Sequence, residues 1–355
     1  MQKEENMMYP VFKEIELIPR SFFQKLIRQY PEDNCIYELN NLFATSNVSC
    51  INEQDIDSLC KKYKVNVLKD YCLNIQEFYT SILYYSLIEL EQNENQNADL
   101  VHLKEIFKID SETSRMLTEK VGVIILREFY EKAVSYGRIS SEEREFLLKK
   151  RILLQLSSEI EESISLEVRK QYIENYSTKI LESNRITPFE EDRLNSIARN
   201  LGVNIPQKLE VRIPILKGYW SLENLELEGI QTKLKIQKSE KCYLEVSNVL
   251  WLEEREQLKR VYGYAKLDQT DQVIESNLKF MDRGSLVVTN KRLLFFGLEK
   301  TSSIKLGDIY DIREYNKAVE VDKIIGRSRL FVAPKGTDLI NILMKRLINE
   351  VHTRG

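Results

Sequence analysis

Two textures run along the chain. Up to residue 206, apolar side chains recur at steps of three and four, the period of a helix that buries one face. Leu194, Ile197 and Leu201 form one such stripe. Beyond residue 206 the period shortens toward two, in brief runs separated by turn residues.

The helical stretch carries its own punctuation. Thr187, Pro188 and Glu190 read as a helix start. The threonine caps, the proline sits where no N–H is needed, and the glutamate reaches back to the cap. Gly202 predicts a left-handed stop, and Pro206 blocks continuation.

An internal repeat lies on top of this periodicity. Residues 48–67 (VSCINEQDIDSLCKKYKVNV) align without a gap on 186–205 (ITPFEEDRLNSIARNLGVNI). Ile56 falls on Leu194, Leu59 on Ile197 and Tyr63 on Leu201, and Val65-Asn66-Val67 falls on Val203-Asn204-Ile205. A third copy sets Leu100, Leu103, Phe107 and Ile109 at the same apolar positions. A fourth begins at Gly137-Arg138-Ile139-Ser140, with Ser140 and Glu143 as its capping box. Each copy follows another amphipathic helix, such as residues 172–181. One helix–loop–helix unit cannot bury its own apolar face, so the copies are expected to pack together.

The second texture predicts strands at 285–289, 292–296, 302–306, 309–313, 318–322 and 329–332, and a closing amphipathic helix over 338–350. Ile340, Leu343, Met344 and Leu347 share one face of that helix. Residues 209–216 (LEVRIPIL) read as an extended segment, with Pro214 favouring a sheet edge. Residues 219–227 read as one short helix. The expected fold class is α+β multidomain: an all-α helical-repeat N-terminal half, and a β-rich C-terminal half with a curled sheet and a C-terminal helix. The expected division is 1–206 helical, 207–280 a small mixed or barrel-like segment, and 281–355 the sheet and its helix.

Charge sharpens the division. The formal net charge is −3. Residues 207–355 hold 26 Lys and Arg against 21 Asp and Glu, which leaves residues 1–206 with a net of −8. Such a balance disfavours nucleic acid as a partner and suggests that the two halves face different surfaces. Five cysteines without a CxxC pair, Cys35, Cys50, Cys60, Cys72 and Cys242, read as free buried thiols of a reducing cytosol. The opening residues, MQKEENMMYP, are too polar for a signal peptide, and no apolar run has the length of a membrane span.

The search for catalytic chemistry returns little. Two histidines, His102 and His352, are too few for a His-based zinc site. No phosphate-cradling glycine loop, zinc-protease motif or nucleophile elbow occurs. The pairs Glu142-Glu143 and Glu190-Glu191 fall in helical first turns, where negative charge complements the helix dipole. The expectation is a protein without catalytic residues, cofactor or metal. A metal-dependent regulatory or enzymatic role for the acidic loops, and nucleic-acid binding by the basic half, are the alternatives.

Residues 284–306 (GSLVVTNKRLLFFGLEKTSSIKL) resemble the core hairpin of bacterial PH and GRAM-like domains. Gly137 to Glu143 resembles the loop that precedes a capped helix in TerB-type helical domains, and Asn184 to Glu191 departs from it by placing asparagine where glycine is usual. These resemblances imply a PH-like sheet and TerB-like repeats, in a non-enzymatic adaptor of the kind bacteria keep in stress or phage-defence systems. They imply a cytoplasmic protein whose helical half binds a protein partner and whose PH-like half docks to a second protein or to an anionic membrane surface at its inner face. The candidate anion-binding residues are Lys291 and Arg292 at a hairpin turn, and Lys323, Arg327 and Arg329 around a later loop.

Overall fold

The computed structural model describes residues 9–88, 94–254 and 278–354. They belong to two compact units, one formed by residues 1–177 and 193–206, the other by residues 178–192 and 207–355.

The first unit is helical. Its elements are α1 (Phe22–Leu26), α2 (Asn34–Thr45), α3 (Glu53–Tyr63), α4 (Val67–Asp70), α5 (Cys72–Ile88), α6 (Glu94–Ile106), α7 (Ser111–Ala133) and α8 (Ser141–Leu153). Most of α9 (Ser158–Ser183) and α10 (Pro188–Leu201) completes it. The repeat is present in the packing. Ile56 and Leu194 are both buried, as are Leu59 and Ile197, and Tyr63 and Leu201. Leu103 and Phe107 of the third copy and Leu147 of the fourth are buried too.

The repeat is also present in the backbone. Lys64, Lys108, Gln155 and Gly202 all adopt left-handed φ between 53° and 63°. In each case the next residue donates its N–H back across the helix end: Val65 to Cys60 O, Ile109 to Lys104 O, Leu156 to Arg151 O and Val203 to Ala198 O, at 3.0–3.2 Å. This is the Schellman stop, which satisfies a carbonyl that the helix leaves orphaned. The second residue after the left-handed one then caps the following helix in three of the four copies. Asn66 accepts from Lys69 N, Asp110 from Thr113 N and Ser157 from Ile160 N.

The start signals are formed as well. Ser140 and Glu143 exchange bonds, Ser140 N to Glu143 at 2.7 Å and Glu143 N to Ser140 at 3.1 Å. Thr187 and Glu190 do the same at 2.9 and 3.1 Å. The aligned pair differs in one respect. In 48–67 a short 3-10 turn over Val48–Cys50 comes first, and the helix is capped later, by Asn52 with Asp55.

The second unit contains α11 (Gln207–Glu210), α12 (Ile213–Asn224) and a closing helix α13 (Thr337–Arg354). Its strands are β1 (Cys242–Glu254), β2 (Leu278–Thr289), β3 (Arg292–Gly297), β4 (Thr301–Lys305), β5 (Ile309–Tyr315), β6 (Ala318–Lys323) and β7 (Arg329–Val332). They form one antiparallel sheet in the order β4-β3-β2-β1-β7-β6-β5. Two meanders are therefore joined through β1, which pairs with β2 along its length and with β7 over Leu250–Glu253. The expected β-rich half, an antiparallel sheet followed by a C-terminal helix, is therefore formed. Ile340, Leu343, Met344 and Leu347 of α13 enter its core beside Trp251, Phe295 and Phe331. Phe295 meets Trp251 edge-on at 5.6 Å and Phe331 at 5.8 Å.

Two expectations are corrected. Residues 209–216 are helical, not extended. Leu209 of α11 and Leu216 of α12 are buried on either side of a turn at 211–212, while Val211 and Ile215, the alternation that suggested a strand, are exposed. Pro214 stands in the first turn of α12, where its missing N–H costs nothing. The helix expected at 219–227 is the later part of α12. The cysteines are not uniformly buried either: Cys35 and Cys242 are, but Cys50 and Cys72 are exposed. The charged residues 255–260 lie outside the described residues.

Candidate functional site

The basic candidates fall at two ends of the long strand β1. Thr289 pairs with Cys242 at its beginning, and Arg329 pairs with Glu253 near its end. Lys291 and Arg292 therefore stand at one end, and Lys323, Arg327 and Arg329 at the other.

At the first end the side chains are engaged within the fold. Arg292 donates to both oxygens of Glu240, at 2.7 and 3.2 Å, and the Glu240 side chain is only 1% exposed. Lys291 Nζ lies 2.8 Å from Ser239 Oγ. Thr289 Oγ1 accepts the N–H groups of Lys291 and Arg292, so the T-N-K-R sequence builds a closed hairpin turn.

The second end is organised around Trp251. The Arg329 guanidinium lies 4.6 Å from the indole centroid, and Lys300 Nζ lies 4.7 Å from it. The ring quadrupole draws both cations toward the indole. Arg329 also donates to Ser302 Oγ at 2.8 Å and stands 3.6 Å from the Glu253 carboxylate. Burial depresses the Arg329 pKa, with Glu253 opposing. Burial, then the neighbouring Arg329 charge, depresses that of Lys323.

The Arg329–Ser302 bond ties the start of β7 to the start of β4. The β3–β4 turn and the β6–β7 loop therefore emerge at the same end. The turn is held by Asp282, whose carboxylate accepts N–H groups from Arg283, Glu299 and Lys300 at 2.7–3.1 Å. Burial opposes ionisation of Asp282, but these backbone bonds prevail and hold its carboxyl below the usual range. At the tips stand Leu298, Ile324 and Ile325, which are 85%, 60% and 86% exposed. Sequence reasoning picked the bases and missed these aliphatics. The run Lys323-Ile324-Ile325-Gly326-Arg327 was legible as two isoleucines between cations, but exposure at a loop tip depends on where β6 and β7 stop.

The acidic helix starts are used internally. Glu143 and Glu190 each accept the cap residue's own N–H, which is a structural task.

No protein-family model matches the chain, and no curated protein is similar to it in sequence. Among solved structures, one described as the crystal structure of an N-terminally truncated linker-DH/PH domains of p115-RhoGEF is similar at 12% identity. The match covers 92% of this chain and 96% of that one, with a TM-score of 0.21. A likeness that distant assigns no residue and no activity here. Among the described residues, no helix is long and apolar enough to cross a membrane.

Proposed function

We propose that this chain is a non-enzymatic docking protein. Its C-terminal module settles on an anionic bilayer surface by the end that carries residues 297–300 and 323–329, and its helical half holds a protein partner. The observation that carries this reading is the pairing of Leu298, Ile324 and Ile325 at exposed tips with Lys300, Lys323 and Arg327 on the same turns. Aliphatic tips enter the headgroup boundary while cations stay at its surface. Each base near an anionic surface contributes about 1 kcal/mol, and each aliphatic side chain that leaves water contributes about 1.5–3 kcal/mol. The sum supports reversible attachment rather than permanent anchoring.

In this reading Arg329 supports the site rather than contacting lipid, because Trp251, Ser302 and Glu253 already surround it. Lys291 and Arg292 lie at the far end and belong to the hairpin. The resemblances to TerB-type repeats and GRAM-like hairpins favour a bacterial, cytoplasmic setting in stress or phage defence, with the module boundary near Pro206.

Vesicle flotation tests the proposal. Wild-type protein is expected to bind phosphatidylserine vesicles but not pure phosphatidylcholine. Binding should fall as the Debye length shrinks from about 10 Å at 0.1 M salt to about 3 Å at 1 M. Ile324→Ser with Ile325→Ser, and separately Lys323→Ala with Arg327→Ala, should each remove most of it. Indifference of the wild-type protein to acidic vesicles at low salt would leave protein docking as the module's role.

A further inference from the structure

The sheet of the C-terminal module has an opening along one side of β1. On the side away from β2, Ile230 bridges Cys242 at one end, and β7 begins its pairing at Leu250. Between them, over residues 243–249, no described strand pairs with β1 on that side; the register to β2 slips between Val246 and Val249, where Asn248 adopts φ 60°, so the extended part of this edge ends at Val246. β7 stops at Val332 for a local reason: Pro334 cannot donate to a ladder, and the chain turns there toward α13.

This open edge lines a cleft of about 1250 Å³. Residues Tyr243 to Asn248 form one wall, and α12 with the segment after it forms the other. Ile215, Leu225 and Ile230 reach into the cleft lining while still 47–51% exposed to solvent. Glu226 and Glu228 stand on the same wall and form no ion pair among the described residues. Asp338 is there too, accepting a hydrogen bond from Tyr219, and Lys335 is the basic residue of the rim.

We propose that this cleft receives an extended, basic peptide segment of a partner protein, added as a further strand on β1. Three features converge on that occupant. Unpaired backbone N–H and C=O groups in a row are satisfied by another strand, not by a helix face or a lipid. The edge from Tyr243 to Val246, ahead of the bulge, is about 13 Å long at roughly 3.3 Å per residue, enough to pair a short strand. The lining is apolar below and acidic at Glu226 and Glu228, which selects alternating apolar and Lys or Arg side chains. This site is separate from the loop tips and stands whether or not they bind a membrane.

Hydrogen exchange on the full chain tests it with two acetylated, amidated peptides, one alternating valine with lysine and one alternating valine with glutamate. The lysine peptide is expected to slow exchange of amides within 243–249, and the glutamate peptide to leave them unchanged. Glu226→Lys with Glu228→Lys should weaken the lysine peptide by about fivefold, the effect of losing two exposed ion pairs, and should admit the glutamate peptide. Both positions are exposed, and unchanged exchange in β2 and β3 confirms that the variant is folded. Equal protection by both peptides, protection confined to other segments, no protection by either, or undiminished binding of the lysine peptide in the double variant each overturns the proposal.

Discussion

Gly284 and Gly297 face one another across β2 and β3 with no room for a side chain between them. A methyl group on Gly284 would fall 2.0 Å from the Phe296 carbonyl oxygen, and one on Gly297 would fall 1.9 Å from the Asp282 carboxylate. Neither glycine needs left-handed backbone. Both are required by close approach, because the strands must pinch where the β3–β4 turn folds onto Asp282. Gly284→Ala and Gly297→Ala are each expected to destabilise the C-terminal module by about 1–3 kcal/mol, the range for overpacking. Urea unfolding followed by tryptophan fluorescence checks this, since Trp251 lies in that core.

The equivalence of Ile56 and Leu194 gives a paired expectation. Both are buried on the same face of repeated helices, so Ile56→Ala and Leu194→Ala should each cost about 2–5 kcal/mol. Phe189 is a neighbouring large side chain that is 72% exposed, and Phe189→Ala should cost far less. Thermal unfolding of the three variants separates a shared core face from a chance resemblance.

The four left-handed helix stops differ in residue type. Gly202 adopts φ 63° without a Cβ penalty, whereas Gln155 adopts φ 55° with one. Gln155→Gly should stabilise the helical unit by about 1 kcal/mol by removing the steric cost of the left-handed region. Gly202→Gln should destabilise it by a similar amount. Denaturant midpoints moving in opposite directions are the expected result.

Arg292 supplies the fork that neutralises the buried Glu240 carboxylate. Arg292→Ala should cost about 3 kcal/mol, because it leaves a carboxylate in the fold without its cation. Arg292→Lys should recover part of that loss, keeping the charge but not the two-bond geometry. Calorimetry of the two variants distinguishes this structural role from a surface role, in which both would be neutral.

The thiols should divide by exposure. Burial raises the Cys35 pKa to about 12, so its thiolate is scarce at pH 8. Cys50 and Cys72 should react quickly with a thiol reagent in the native protein, and Cys35 and Cys242 only on unfolding. Raising the pH from 8 to 9 should leave Cys35 unreactive, because its ionisation lies still higher. Mass spectrometry of partially labelled peptides reads the order.

Excision should depend on residues 178–192. Arg185 grips Glu223 at 2.6 and 2.7 Å, and Lys217 meets Glu191 at 2.6 Å, all within the second unit. A fragment of residues 178–355 should therefore melt higher than one of residues 207–355. Equal melting temperatures would show that these exposed pairs contribute nothing measurable.

Much of this was determined by the sequence alone, because it depends on local chemistry. A threonine or serine followed three residues later by glutamate caps a helix wherever it occurs, so the starts at Thr187 and Ser140 were readable without a fold. The strands from Ser285 to Val332 were readable because turn residues interrupt a period of two. The same reasoning failed at 209–216, where Val211, Ile213 and Ile215 alternate as in a strand but Leu209 and Leu216 are the residues that the core takes. A seven-residue pattern satisfies both periods, and only packing chooses between them. Of the candidate bases, Arg292, Lys323 and Arg329 are strand-end residues, and Lys291 and Arg327 lie in turns. Their division between the two ends of β1 rests on which strands pair, and pairing is a long-range choice that no local spacing encodes. The exposed tips at Leu298 and Ile325, the Trp251 contact that occupies Arg329, and the unpaired edge over residues 243–249 all arise where strands stop. Apart from the end of β7, where Pro334 stops the ladder locally, those stops are set by neighbours far apart in the chain, so the tertiary structure decided them.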